Sequence, residues 1–320
     1  MDAPRTLQQA ILYFSDYTNC HAAVVAVRWP DGVVRCPRCD SERVTYLANA
    51  RVWKCYEGHA RAKFSLKVGT VFEDSPLPLQ KWLPALWLLT NCKNGISSYE
   101  LARALAVTQK TAWFMLSRLR LALQSEHGGK IGGDVEVDET YIGGKSRNMH
   151  KHVRDRRGIS QGTSMAGKVA VMGLLERHSK KGHSTMRLAI LAGRKRSHLR
   201  PNIEQHVERG ATIHTDSFCS YSGLSDDYTH HVIDHAEKYV DDQVHTNGCE
   251  NFWSLLKRAI KGTYVSVEPF HLFRYLDEQA FRFNERGGTD QSRFILALFG
   301  ILRKRLTYKA LIGSELPQTC

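Results

Sequence analysis

The spacing of apolar residues changes several times along the 320-residue chain, and each change marks a different element. Leu7, Ala10, Ile11 and Phe14 recur at helical spacing, so residues 1–30 read as an entry helix. Residues 31–75 lose that period and become short-patterned, turn-rich and cysteine-bearing. Helical spacing returns over 78–125. There Ser97 and Glu100 have the spacing of a capping box, and the helix they open should bury Leu101 and Leu105. A turn at Ala106-Val107-Thr108 follows, and Thr108 can cap a second helix running through Leu123. Its inward positions are Ala112, Met115, Leu116 and Leu119; Lys110, Arg118 and Arg120 are expected outside.

A two-residue period dominates 131–240. In Gly133-Asp-Val-Glu-Val-Asp138, Val135 and Val137 face one side while Asp134, Glu136 and Asp138 face the other. Strands follow at Lys168–Leu175 and Thr185–Leu191, then a helix near Ser197–Arg209, then a strand at Ala211–Asp216. Residues 248–310 are helical again. In their first helix Phe252, Leu255, Leu256 and Ala259 cluster opposite Glu250, Ser254 and Lys257. The order β-β-β-α-β-α-β-α is that of an RNase-H-like α/β domain, a mixed sheet flanked by helices. First and fourth strands are neighbours in that order, which would set Asp138 beside Asp216. The expected organisation is an N-terminal helix and cysteine module over 1–77, a helical segment over 78–128, the α/β domain over 129–288 and a helical tail over 289–320.

Charge narrows the partners. The formal net charge is +13, which suits a polyanionic partner, nucleic acid or an anionic membrane; a merely solvated basic surface is the alternative, and charge alone does not choose between them. The stretch Gly143–Lys168, with Lys145 and Arg147, reads as a basic loop. No signal-peptide pattern opens the chain, and the apolar run Trp82–Leu89 is too short to span a bilayer. A cytoplasmic protein without a membrane partner is therefore expected. The two helices on either side of Ala106 have helix-turn-helix spacing, whose second helix can enter a major groove; an ordinary αα-hairpin shares the pattern.

Two groups of residues suggest metal chemistry. Cys36-Pro-Arg-Cys39 is a C-x2-C knuckle, with Cys55 and His59 following, and such a set can close a zinc tetrahedron. His59 is the expected fourth ligand, Glu57 and His21 are alternatives, and free buried cysteines without zinc are the other possibility. The second group is Asp138, Asp216 and Glu250. Carboxylates suit hard divalent ions, and two Mg²⁺ ions can serve an in-line phosphoryl displacement. Asn247 and Glu250 also have capping-box spacing, so Glu250 has a structural alternative. Lys257 lies two turns beyond Glu250, about 10 Å along a helix, where it and Arg258 can meet phosphate, or serve as plain surface residues. Trp253 fits helix packing, or stacking on an extruded base. His214, His230, His231 and His245 are either neighbours of the carboxylates or ordinary structural residues. No G-x-S-x-G, Walker or dinucleotide-binding glycine motif competes.

The segments RWPDGVVRCPRCDS, KVGTVFEDSPLPLQKW, VDETYIGGK, HTDSFCSY and CENFWSLLKR, in this order, resemble the DDE-type insertion-sequence transposases that carry an N-terminal zinc ribbon. The resemblance implies a bacterial mobile element, Mg²⁺ or Mn²⁺ as a pair of ions, recognition of terminal inverted repeats in double-stranded DNA, and at least a dimer on paired ends. It further implies a protein associated with the nucleoid when DNA-bound. Asp138, Asp216 and Glu250 match the family's first, second and third acids, and Lys257 its later basic residue. Some relatives use Asn third, which keeps Asn247 and Asn251 open. The ribbon departs from the four-cysteine pattern at His59. The implied activity is metal-dependent cleavage at transposon ends and strand transfer; a catalytically silent DNA-binding regulator and an RNase-H-like repair nuclease are the alternatives.

Overall fold

The computed structural model describes residues 4–124, 129–144, 150–156, 168–216, 219–233 and 246–313. Lys145, Arg147 and His245 lie outside them. The chain forms two compact units, one made of residues 1–124 and 288–320, the other of 125–287.

The first unit opens with α1 (Leu7–Ser15) and α2 (Tyr17–Arg28), two helices where the periodicity suggests one. The break is local chemistry. Asp16 leaves helical geometry and its carboxylate accepts from the Thr18 amide at 2.7 Å, capping α2. Of the four entry-helix positions, Ala10 and Phe14 are buried, whereas Leu7 and Ile11 are exposed. A three-stranded antiparallel sheet follows: β1 (Val44–Leu47), β2 (Val52–Cys55) and β3 (Lys63–Phe64). Next come α3 (Leu79–Asn91), α4 (Ser98–Leu105) and α5 (Gln109–Leu123). The Ser97–Glu100 capping box forms, and Thr108 caps α5 by accepting from the Thr111 amide.

Two arginines of α5 overturn the outward placement expected for them. Arg118 is 4% exposed and Arg120 is 1% exposed. The Arg118 guanidinium donates to the carbonyls of Val71 and Glu73 at 3.2 and 2.7 Å and lies 4.4 Å from the Phe114 ring centroid. Neighbouring helices cover α5 on more than one side, so its polar stripe is enclosed along with its apolar one. Lys110, on the first turn, stays exposed.

The second unit holds a five-stranded sheet in the order β6-β5-β4-β7-β8. Its strands are β4 (Asp134–Ile142), β5 (Val169–Glu176), β6 (Thr185–Leu191), β7 (Thr212–Asp216) and β8 (Thr229–Ile233). The first three are antiparallel neighbours, while β4–β7 and β7–β8 are parallel. A short α6 (Lys151–Arg156) precedes β5, and α7 (Arg196–His206) joins β6 to β7. Where element order suggests a further helix after β7, the described residues carry two 3₁₀ turns, Cys219–Tyr221 and Leu224–Asp226. Then come α8 (Asn247–Ala259) and α9 (Leu272–Asn284).

Alternation along the strands splits the core. Val135, Val137, Met172, Leu174 and Ile213 pack toward Leu199 and Ile203 of α7. Ile142, Val171, Leu175 and Met186 pack toward Phe252, Leu256 and Leu276 of α8 and α9. The interior strand β5, buried on both faces, therefore reads as a nearly continuous apolar run. The chain then returns to the first unit through α10 (Asp290–Phe299) and α11 (Tyr308–Leu311). Phe294 of α10 packs against Phe14 and Trp87, at ring-centroid distances of 5.3 and 5.2 Å. No described helix is long and apolar enough to cross a membrane.

Candidate functional site

The register of β4 and β7 decides where two acids stand. Asp134, Val135 and Glu136 pair in parallel with Thr212, Ile213 and His214. Continued two residues, the same register brings Asp138 level with Asp216. Registered residues of parallel strands project to one face, and here it is the face that α8 covers.

Asp138 is held by two hydrogen bonds. Its Oδ2 accepts from the Trp253 indole N–H at 2.8 Å and its Oδ1 from the Glu139 amide at 2.8 Å. Gly173, opposite Asp138 on β5, makes the first contact possible: a Cβ there would lie 2.7 Å from the Trp253 ring. Burial pushes the Asp138 carboxyl above the ordinary carboxylate range; the Trp253 N–H and Glu139 amide pull it back, and the charges of Asp216 and Glu250 push it further up. Asp216 and Glu250 thus both act on Asp138.

Glu250 sits on the exposed side of α8 with Ser254 and Lys257, opposite buried Phe252, Leu256 and Ala259. The Asn247–Glu250 capping box does not form, because α8 begins at Asn247 and its N-cap, Thr246, makes no side-chain cap. The helix is capped from the sheet instead. Glu136, 1% exposed, accepts from the Cys249 amide at 3.0 Å and pairs with Arg177 at 2.8 Å. A carboxylate at a helix N-terminus offsets the macrodipole, and Gly248 leaves room, since a Cβ there would come 2.9 Å from Glu136 Oε2. On the acidic face of β4, Glu136 is therefore an interior residue. Arg258 is exposed, as are Asn247 and Asn251.

A second buried acid lies behind the site. Glu139 accepts from the Tyr221 hydroxyl and lies 3.5 Å from Arg194. Burial drives its carboxyl up to about 7, against the pull of Tyr221 and Arg194 and with Asp138 and Asp216 adding to the rise. Trp253, Glu136 and Glu139 were not assigned these parts from sequence; the one signal was three acids in alternation with Glu139 beside them. His214 turns to Asp134, 3.4 Å away, and stacks on His231, while His230 bonds the Thr215 hydroxyl at 2.9 Å.

The cysteine module converges without ambiguity. Cys36, Cys39, Cys55 and His59 place their ligand atoms within 4.8 Å of one another, the one such set among the described residues. Cys36 Sγ is 3.3 Å from His59 Nε2, and Cys39 Sγ is 3.6 Å from Cys55 Sγ. Ligands at ~2.3 Å (sulfur) and ~2.0 Å (nitrogen) on a tetrahedron stand about this far apart, so the residues fit zinc. Glu57 instead accepts from Ser41, and His21 stacks on Trp53. The three carboxylates are spread more widely than this sulfur–imidazole set.

Fold and sites together define a protein of two parts, a Cys3His zinc-ribbon module in one unit and a carboxylate-bearing mixed α/β sheet in the other. Residues 130–284 match the ISXO2-like transposase domain, and residues 16–60 match the transposase zinc-ribbon domain. The chain is 31% identical over 241 residues to an uncharacterized protein in the transposable element ISH50 of Halobacterium salinarum, spanning 72% of this chain and 79% of that protein. It is also 31% identical over 87 residues to an uncharacterized transposase-like protein of Haemophilus influenzae, 27% of this chain and 70% of that one. The chain belongs to the ISXO2-like transposase family.

Proposed function

We propose that this protein is an active DNA transposase that cuts at the ends of its element and joins them to target DNA, with an RNase-H-like unit carrying an Asp138, Asp216 and Glu250 triad. The observation that carries this is the parallel register that levels Asp138 with Asp216 on the α8 face, where the Glu250 charge also acts on Asp138. A buried carboxylate whose proton affinity is raised by neighbouring negative charge is relieved by a divalent cation. The three acids would hold a pair of Mg²⁺ or Mn²⁺ ions, which would supply charge stabilisation to the phosphoryl displacement. A donor set for two ions is necessarily wider than one for a single zinc.

The chain's own groups do the rest. Trp253 and the Glu139 amide fix the direction of the Asp138 carboxylate. Lys257 and Arg258 face solvent where phosphate charge would need neutralising. In the first step water forms a bond to phosphorus, the P–O3′ bond breaks, and a 3′-hydroxyl is freed. In the second that hydroxyl attacks a target phosphodiester, joining the strands and releasing a target 3′-hydroxyl. The zinc ribbon and the α4–α5 pair, acting as a helix-turn-helix with Lys110 exposed, would recognise the terminal repeats. Pairing of two ends calls for at least a dimer, working on the nucleoid in the cytoplasm.

Asp216→Asn tests the assignment. It should abolish Mg²⁺-dependent cleavage of an end-containing duplex and leave duplex binding intact; retained cleavage sinks the triad. A silent regulator would bind and never cut, and a repair nuclease would cut without terminal repeats.

A further inference from the structure

We infer that a cleft lined by Lys168, Lys257 and Lys261 grips the DNA backbone about 10 Å from the carboxylates, with the turn at Val265 as its outer wall. This rests on nucleic acid being the ligand of the proposed function and adds where the strand runs.

The cleft has a volume of about 540 Å³, and Ile142, Gly143, Ile260 and Val267 supply the rest of its wall. That is the size of a pocket for a nucleotide-scale ligand. Among the described residues none of the three ammonium groups has a hydrogen-bond or ion-pair partner. Three like charges around one hollow repel one another until an anion enters.

Two elements lead from the carboxylates to this hollow. Along α8, Lys257 stands seven residues beyond Glu250, about 10 Å at helical rise. Along β4, Ile142 stands four residues beyond Asp138, about 13 Å at strand rise.

The backbone of the cleft wall is unusual in two ways. After α8 the helix widens into a π-helical segment, Ile260–Tyr264. The Ser266 amide then donates to the Tyr264 carbonyl at 2.6 Å, closing a three-residue turn around Val265 at φ 62° and ψ −55°. This is the strained hand of the γ-turn, which β-branched residues avoid. Val265 is nevertheless 78% exposed, so packing does not explain it. π-segments and strained backbone recur at binding sites, and here both shape the wall that brings Lys261 to the hollow.

The test compares two charge-matched double variants of the full chain in an Asp216→Asn background. Lys168→Ala with Lys261→Ala removes two of the cleft's three lysines; Lys180→Ala with Lys195→Ala removes two exposed lysines elsewhere in the same unit. Binding to a fluorescein-labelled mixed-sequence DNA duplex is measured by anisotropy across a salt series. Each lost phosphate contact lowers the slope of log affinity against log salt by about 0.9. The cleft variant should lose about 1.8 from the slope, so a fourfold rise in salt weakens it about tenfold less than its parent. The control pair should keep the parental slope. Equal slopes for the two pairs would overturn the cleft assignment while leaving the DNA-binding reading in place. Failure of the Asp216→Asn parent itself to bind the duplex would overturn both. Loss of the cleavage prediction with the slope difference intact would overturn the triad alone.

Discussion

Trp253→Phe isolates one hydrogen bond at the proposed reaction centre. The substitution keeps an aromatic ring over Gly173 and deletes the N–H that donates to Asp138 Oδ2 at 2.8 Å. A hydrogen bond to an ionised group contributes ~1.5–3 kcal/mol, and its loss leaves Asp138 free to turn. If the carboxylate is a metal ligand, that energy corresponds to a loss of ~10–100-fold in metal affinity or activity, the usual cost of removing a ligand's supporting partner. The smaller ring also leaves a cavity costing about 1–3 kcal/mol of stability, so the variant must first be shown folded by circular dichroism. A second readout separates orientation from packing. The Asp138 carboxyl is already above its ordinary value of 3.8 through burial, with Trp253 opposing the rise. Without the indole it climbs further. The native state then holds this proton more tightly than the unfolded state does, so metal-free stability falls as pH rises from 3.8 through the raised value, and falls further in the variant than in the parent. Mn²⁺ titration by calorimetry and urea melts across that window measure both effects. A folded Trp253→Phe protein with parental Mn²⁺ affinity and parental pH dependence would refute the role of the indole.

Three further outcomes follow from the same geometry. Freshly purified protein should carry stoichiometric zinc by elemental analysis, and Cys55→Ser should lose it together with the folded β1–β3 module; a zinc-free parent would reject the ribbon site. Glu139, whose carboxyl is raised from 4.5 to about 7, favours the native state most below 4.5 and loses that contribution as pH rises through about 7, on the order of 3 kcal/mol. Glu139→Gln should flatten stability against pH over that interval, and an unchanged profile would remove Glu139 as its source. Arg118→Ala should cost about 3 kcal/mol in a urea melt, because it strips charged donors from two carbonyls, and should leave DNA affinity per folded molecule unchanged.

Much of the sheet was legible because its signal is local. Alternating Val135 and Val137, the unbroken apolar run of β5 and the order of elements were enough to set β4 beside β7. The caps at Ser97 and Thr108 were equally readable, since each donor and acceptor lie within three residues. What escaped depends on partners distant in sequence. The outward placement of Arg118 and Arg120 assumed one covered face of α5, whereas neighbours enclose more than one. The Trp253–Asp138 bond requires a glycine on a third element, and nothing in CENFWSLLKR announces Gly173. Glu136 offered an acidic pattern, yet its helix cap and its Arg177 partner come from 113 and 41 residues away. The break at Asp16 was missed although an Asp before a helical run is itself a capping signal.

The division of the chain also imposes an order on synthesis. Residues 125–287 leave the ribosome as one continuous unit and can complete their sheet as they emerge. The ribbon-bearing unit has to wait. Phe14 meets Phe294 about 280 residues later, and Val71 waits for the Ile301 carbonyl at 3.0 Å. At ~5–20 residues per second the delay is on the order of tens of seconds. A polypeptide interrupted before α10 would carry the whole carboxylate unit and an unfinished ribbon-bearing one, so translation itself sets completion of the ribbon-bearing unit after that of the carboxylate unit.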